Sequence, residues 1–179
     1  FVNNTMFMPW SSDAAATLNV THTGSGKPWL TMQSVAAVAL KEPFAAGYQI
    51  KKTVTPVEQA VPGVYTRGDV LRVALEVNAS SDMTWVVISD PIPAGATILG
   101  SGLGRDSQKL TAAERRGWSS FEERSFEAYR SYYETMGKGV LTMEYTLRLN
   151  NVGVFALPPT RVEAMYAPEM FGETPNATV

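Results

Sequence analysis

Alternation of large apolar side chains with mostly polar ones is the feature that most restricts how this chain can fold. In two stretches every second side chain is apolar, namely Leu71, Val73, Leu75 and Val77 in the first and Leu141, Met143, Tyr145, Leu147 and Leu149 in the second. A period of two places such residues on one face of a β-strand, because successive side chains point to opposite faces. Each stretch is therefore predicted to be a strand with one buried face.

Turns rich in Gly and Pro separate these two stretches from other short runs of apolar and β-branched residues. Further strands are predicted at residues 16–23, 29–40, 48–55, 83–89, 97–99, 121–134 and 160–166. Pro56 and Asp90-Pro91 are expected to end the strands that precede them, because proline cannot donate to a ladder. Short strands at close spacing with such turns are typical of an antiparallel β-sandwich. The chain is predicted to be an all-β protein with this architecture.

Two connections carry more specific predictions. Ser107 is a suitable N-cap and Gly117 a suitable stop, so one short helix is expected in an excursion near residues 107–117. Residues 121–134 have aromatic side chains at both helical and strand spacing. Their aromatic density and the turn at residues 136–139 favour a strand that forms a hairpin with residues 140–149.

Composition excludes several kinds of partner and site. The net charge is −2 and the pI is near 5.5, so the chain offers no basic surface for nucleic acid. It has no cysteine, and His22 is its only histidine. Thiolate ligands, thiol nucleophiles and multi-histidine metal sites are thereby excluded, and His22 is expected to pack structurally.

A group of glutamates is the remaining candidate for catalysis. Glu122, Glu123 and Glu127 could supply paired carboxylates for general acid–base catalysis. The neighbouring Arg124 and Arg130 favour a solvated, charged strand instead. The sequence therefore predicts no catalytic residue, no metal site and no cofactor.

The stretch from Leu157 to Gly172 combines strand character with prolines near both ends of the strand. Pro158 and Pro159 remove two backbone donors, so the strand that follows is expected to enter a sheet at an edge. Within it Val162, Ala164 and Tyr166 share one face, and Ala167-Pro168 is expected to end the pairing. Two interpretations remain open, a last strand whose Tyr166 closes the core and an apolar loop presented at the surface.

Three segments of the chain resemble the C-terminal region of bacterial α2-macroglobulins. They are Ser-Asp-Pro-Ile-Pro-Ala-Gly-Ala-Thr at 89–97, Glu-Arg-Ser-Phe-Glu-Ala-Tyr-Arg at 123–130 and Leu-Pro-Pro-Thr-Arg-Val-Glu-Ala-Met-Tyr-Ala-Pro-Glu-Met-Phe-Gly at 157–172. Residues 23–26 and the strand after them are similar to the end of the CUB-type domain that precedes the last domain in this family. The resemblance thus divides the chain into residues 1–43, the C-terminal strands of a CUB-type domain, and residues 44–179, a terminal macroglobulin-like β-sandwich.

The resemblance implies a non-catalytic domain of a large protease-trapping inhibitor. In this family, cleavage of a bait region releases a buried Cys-Leu-Glu-Gln thioester that captures the protease, and that thioester motif is not in this chain. The terminal domain packs on the thioester and shields it from water. The resemblance places the locking pair on Met165 and Tyr166. The residues expected to support this pair are Pro158, Pro159, Ala167 and Pro168.

The resemblance also implies a location and partners. This chain is expected to be a piece of a longer periplasmic protein, anchored to the inner membrane by an N-terminal lipid. The implied partners are the thioester domain of the same full-length chain, target proteases and, by family association, a penicillin-binding protein.

Two alternatives remain open at this point. One is an Ig-like adhesin or carbohydrate-binding module with a sugar platform made by Trp85, Tyr129, Tyr132 or Tyr133. The other is a macroglobulin subfamily without a thioester, although the sequence Ala-Pro-Glu-Met-Phe-Gly-Glu at 167–173 favours the class with a thioester.

Overall fold

Ten β-strands make up the regular secondary structure in the residues that the computed structural model describes, which are 5–9, 17–33, 35, 39–100 and 119–179. The strands are β1 (Phe44–Ala46), β2 (Tyr48–Glu58), β3 (Val70–Ala79), β4 (Met83–Pro91), β5 (Thr97–Ile98), β6 (Phe121–Arg124), β7 (Ala128–Met136), β8 (Gly139–Arg148), β9 (Thr160–Ala164) and β10 (Ala167–Thr174). The helix expected near residues 107–117 lies outside the described residues. Within the described residues, no helix is long and apolar enough to cross a membrane.

The strands form two antiparallel sheets, as the sequence predicts for a β-sandwich. One sheet has the order β1-β10-β9-β4-β7-β6, and the other has the order β2-β3-β8-β5. The chain divides into two compact units, Phe1–Ala37 and Val38–Val179, and both sheets belong to the second. The assignment of residues 1–43 to a CUB-type domain and of residues 44–179 to the terminal domain stays a prediction.

The core lies where the two-residue period predicts it. Strands β3 and β8 pair in register, with Val73 opposite Tyr145 and Leu75 opposite Met143. Every apolar residue of the two alternating faces is buried, namely Leu71, Val73, Leu75, Val77, Leu141, Met143, Tyr145, Leu147 and Leu149. The other sheet buries Val86, Ile88, Tyr129, Tyr133, Val162 and Ala164 in the same core. Burial of these two apolar faces stabilises the sandwich.

The hairpin expected between residues 121–134 and 140–149 is wrong. Strand β7 pairs with β4 and β6 in the six-stranded sheet, whereas β8 pairs with β3 and β5 in the other sheet. The rings of Tyr129 and Tyr145 stack with centroids 4.5 Å apart. A hairpin would set the apolar faces of the two strands side by side, but placing them in opposite sheets lets the faces pack against each other. The turn at residues 136–139 therefore joins the two sheets.

Of the two strands expected to end at a proline, β4 does so and β2 does not. Strand β2 includes Pro56, and β4 ends at Pro91. Strand β2 is an edge strand, and Pro91 is the last residue of its strand. Proline is tolerated at both kinds of position, because the missing donor is not needed by a second neighbour.

The strands expected at 16–23 and 29–40 are absent from the described parts of those ranges. Leu18, Val20, Trp29, Leu30 and Met32 are all exposed. Alternation creates a strand only when a neighbouring strand supplies the ladder and a core covers the apolar face. Neither condition is met at these residues.

Candidate functional site

The β9–β10 hairpin presents Met165 and Tyr166 at its tip. Ala164 pairs with Ala167, and the two residues between them form the turn. Met165 is 49% exposed and Tyr166 is 79% exposed, although Ala164 beside them is buried. The interpretation in which Tyr166 closes the core is therefore wrong. The two side chains are presented at the surface.

The hairpin is anchored in the interior of the six-stranded sheet. Strand β9 lies between β10 and β4, so the expected edge position is wrong. Pro158 and Pro159 precede the first paired residue, Thr160, and remove no ladder hydrogen bond. Ala167 begins β10 rather than ending the pairing. Because β9 pairs with a strand on each side, it anchors the tip in the sheet.

Trp85 of β4 contacts both tip residues. Its carbonyl accepts a hydrogen bond of 2.7 Å from the amide of Met165. Its ring packs edge-on against Tyr166, with centroids 6.3 Å apart and planes at 86°. The indole is 48% exposed. We call these three exposed residues, Trp85, Met165 and Tyr166, the tip cluster.

A wide bulge in β10 follows the tip. The register jumps from Ala167 opposite Ala164 to Phe171 opposite Glu163, so residues 168–170 have no partner on β9. Pro168 is exposed, as is the residue after it. Met170 turns inward and packs against the core. Pro168 is thus exposed next to the tip, and Met170 anchors the bulged segment to the core.

An arginine clamp stiffens the middle of the hairpin. Arg161 Nε lies 2.7 Å from Glu163 Oε2, and its Nη1 lies 2.6 Å from Glu173 Oε1 across the strand pair. Its guanidinium also lies 4.4 Å from the ring centroid of Phe171. Burial opposes the charged form, but the hydrogen bonds to the two carboxylates raise the pKa of Arg161 above its usual value. This clamp ties β9 to β10 below the tip.

The supporting residues named from the sequence separate into two places. Ala167 and Pro168 adjoin Met165 and Tyr166 at the tip. Pro158 and Pro159 lie before the start of β9, at the end of that strand away from the tip. The carbonyl of Pro158 accepts a 2.6 Å hydrogen bond from Asn176 Nδ2. These two prolines therefore belong to the packing of the C-terminal segment and not to the tip.

The structure also places the other residues that the sequence offered for catalysis or metal binding. His22 is exposed, so the expectation that it packs in a core is wrong. Arg130 pairs with Glu123 at 2.7 Å and Arg124 with Glu122 at 3.4 Å, which confirms a charged strand. Among the described residues, no group of three or more His, Cys, Asp or Glu side chains is placed to hold a metal ion.

The sugar platform of the alternative carbohydrate-binding function is not assembled. Tyr129 and Tyr133 are buried. Tyr132 donates a 3.0 Å hydrogen bond to Glu123, and its ring packs against Phe121. Trp85, the remaining aromatic residue of that set, belongs to the tip cluster.

Comparison with known proteins decides the family. The family described as the bacterial alpha-2-macroglobulin MG10 domain matches residues 47–169 of this 179-residue chain. The chain belongs to that family. All three residues of the tip cluster lie in the matched range of this MG10 domain.

Curated relatives are much longer than this chain. An alpha-2-macroglobulin homolog of Nostoc sp. is 28% identical over 107 residues, which are 60% of this chain and 6% of that protein. An alpha-2-macroglobulin of Xylella fastidiosa is 26% identical over 120 residues, 62% of this chain and 7% of that protein. The MG10 domain therefore matches a small part of each relative.

Solved structures share the fold of the MG10 domain. Native alpha-2-macroglobulin of Escherichia coli, from domain MG7 to the C-terminus, has a TM-score of 0.65 at 18% identity, covering 78% of this chain and 24% of that chain. A point mutant of Salmonella alpha-2-macroglobulin has a TM-score of 0.65 at 20% identity, covering 79% of this chain and 10% of that chain. At these identities the likeness shows the fold alone.

Sequence reasoning missed the role of Trp85 in this site. The sequence placed Trp85 only in a candidate sugar platform, and it named Met165 and Tyr166 through the family resemblance. Trp85 lies on a strand far away in the chain, and it meets the tip only because β4 and β9 pair. No local pattern signals that contact.

Proposed function

We propose that this MG10 domain is a non-catalytic cover for a thioester in a neighbouring domain of a full-length bacterial α2-macroglobulin. The observation that carries the proposal is the exposure of Met165 and Tyr166 together on a hairpin anchored in the interior of a sheet. Exposure of large apolar side chains to water at such a tip is energetically unfavourable unless a partner covers them. A neighbouring domain of the same full-length chain is the partner proposed here.

The chemistry of the tip suits protection of a thioester. A thioester persists only where water and amines are kept away from its carbonyl carbon. Methionine adapts its flexible, polarisable side chain to an irregular apolar surface. Tyrosine adds a rigid ring and a hydroxyl that can hydrogen-bond at the edge of the covered site. Withdrawal of this cover after bait cleavage would expose the thioester to the protease.

Solved relatives offer two points of support. One Salmonella alpha-2-macroglobulin is described as reacted with methylamine, and one Escherichia coli alpha-2-macroglobulin is described as activated by trypsin. Under the proposal, the full-length protein of this chain reacts with the same two classes of reagent. Its setting would be the periplasm, with a lipid anchor at the inner membrane, target proteases as substrates of the trap and a penicillin-binding protein as an associated partner.

The test replaces the most exposed residue of the tip in the full-length protein. Tyr166→Ala removes the ring but leaves the turn and the β9–β10 ladder intact. We expect methylamine to release free thiol at least about tenfold faster, a barrier change of ~1.4 kcal/mol. Thiol release is measured with a chromogenic disulfide reagent before and after addition of methylamine.

Phe126→Ala is the matched control. Phe126 is 83% exposed and lies between β6 and β7. That turn adjoins Ala128, which pairs with Pro91 at the opposite end of β4 from Trp85. The control should release thiol at the wild-type rate. Equal rates in Tyr166→Ala and wild type would overturn the covering role, and so would a wild-type protein that releases no thiol, because it would belong to the subfamily without a thioester.

A further inference from the structure

The backbone of Trp85 adopts a conformation that large residues avoid. Its φ angle is 55°, in the left-handed region, and it is the one residue other than glycine with positive φ among the residues that the structure describes. For an aromatic residue this conformation is unfavourable and persists only where surrounding contacts impose it. In this conformation Trp85 contacts both Met165 and Tyr166.

We propose that Trp85 is a positioning residue that holds Met165 and Tyr166 in the geometry of the cover. This inference rests on the proposed function of the tip. Trp85 acts through both its groups, since the carbonyl fixes the main chain of Met165 and the indole fixes the ring of Tyr166.

The sheet pairing shows why the tip depends on this residue. The β4–β9 register runs from Ser89 opposite Arg161 to Val86 opposite Ala164. The hydrogen bond from Met165 to Trp85 carries that ladder one residue further, into the turn. Support from β4 therefore reaches the tip itself.

The opposite side of the hairpin gives less support to the tip. Residues 168–170 of β10 bulge away from β9, and regular pairing resumes only at Phe171. Between the tip and that bulge, Ala167 is the one residue of β10 that pairs with β9. The restraint on Tyr166 accordingly comes from β4, where an edge-to-face contact with Trp85 selects one orientation of the phenol ring.

Glycine at position 85 separates this role from a merely structural one. Glycine adopts positive φ without strain, so Trp85→Gly keeps the backbone geometry and removes only the indole. We expect the unfolding midpoint of this 179-residue chain in urea to stay close to the wild-type value. In the full-length protein, we expect Trp85→Gly to speed methylamine-induced thiol release by several-fold.

Two further variants complete the test. In Trp85→Gly/Tyr166→Ala, thiol release should be no faster than in Tyr166→Ala alone, because a positioning residue has no effect once its target is gone. Trp85→Phe keeps a ring at the contact and should restore most of the slow release. Phe126→Ala again serves as the unaffected control.

The outcomes distinguish this inference from the proposed function. If Tyr166→Ala speeds thiol release and Trp85→Gly does not, the positioning role is overturned and the cover stands. If the effects of the two single variants multiply in the double variant, Trp85 acts independently of Tyr166, and the positioning role is also overturned. If neither single variant changes the rate, the proposed function fails and this inference fails with it.

Discussion

The phenol of Tyr145 donates a 2.6 Å hydrogen bond to Asp90 across the interior of the sandwich. Tyr145 lies on β8 of one sheet and Asp90 on β4 of the other. Asp90 is fully buried, and it also accepts a 2.6 Å hydrogen bond from Lys52 and one from Thr160. Donors from both sheets thus converge on one carboxylate. Asn176 joins the same group through a 2.8 Å hydrogen bond with Lys52.

Removal of this carboxylate should destabilise the fold. Asp90→Ala removes the carboxylate that accepts hydrogen bonds from Lys52, Tyr145 and Thr160, so the Lys52 ammonium loses its counter-ion and keeps the neutral Asn176 Oδ1 as an acceptor. We expect a loss of about 3–5 kcal/mol in the free energy of unfolding, measured by urea denaturation. Thr84→Ala, at an exposed position on the same strand, should change it by less than about 0.5 kcal/mol. Similar losses in the two variants would show that Asp90 does not join the sheets.

Removal of the Tyr48 hydroxyl should stabilise the fold, in contrast to removal of the Asp90 carboxylate. Its side chain is 1% exposed, and its hydroxyl has no hydrogen-bond partner. Tyr48→Phe relieves the desolvation of that group and should raise the free energy of unfolding by about 1 kcal/mol. Tyr145→Phe is the matched comparison, because it removes the donor to Asp90 and should lower the same quantity by about 1–2 kcal/mol. A destabilised Tyr48→Phe chain would contradict this account.

Alkaline pH supplies a second measurement on Tyr48. Burial raises its pKa from 10.0 to about 12, so the unfolded chain loses this proton before the folded chain does. Stability from this group is therefore complete below pH 10 and is lost as the pH rises to 12, by about 1.4 kcal/mol per pH unit. Burial and the nearby Asp90 also raise the pKa of Tyr145, which adds to the same alkaline loss. Urea denaturation across this range should show a shallower decline in Tyr48→Phe than in wild type, and parallel declines would refute the assignment.

Gly172 is expected to be intolerant of a side chain. A Cβ at this position would collide with the backbone carbonyl of Tyr48, where β10 crosses close to β2. Gly172→Ala should lower the free energy of unfolding by about 1–3 kcal/mol, because backbone atoms cannot move aside cheaply. Gly137→Ala is the control, since the nearest atom to its Cβ would be Asp82 Oδ1 at an ordinary 3.7 Å. Equal thermal midpoints for the two variants would show that β10 and β2 do not approach so closely.

The candidate site was predictable only in part. The family resemblance pointed to Met165 and Tyr166, whereas the residues themselves also allowed Tyr166 to close the core. Their exposure and the interior position of β9 come from the fold. Trp85 enters the site through its pairing with a distant strand. Pro158 and Pro159, close in sequence to the tip, lie at the other end of β9.

The sequence by itself determined which residues of β3 and β8 face the core, and it thereby determined the all-β class. The physical reason is local, because the two-residue period of a strand sorts side chains between its faces wherever a strand forms. Only the tertiary structure decided which strands pair, and it placed β7 and β8 in different sheets although a short turn joins them. Pairing depends on which apolar faces can cover one another, as the stacked rings of Tyr129 and Tyr145 do across the core. The same long-range packing brought Trp85 to Met165 and Tyr166 and so defined the tip cluster.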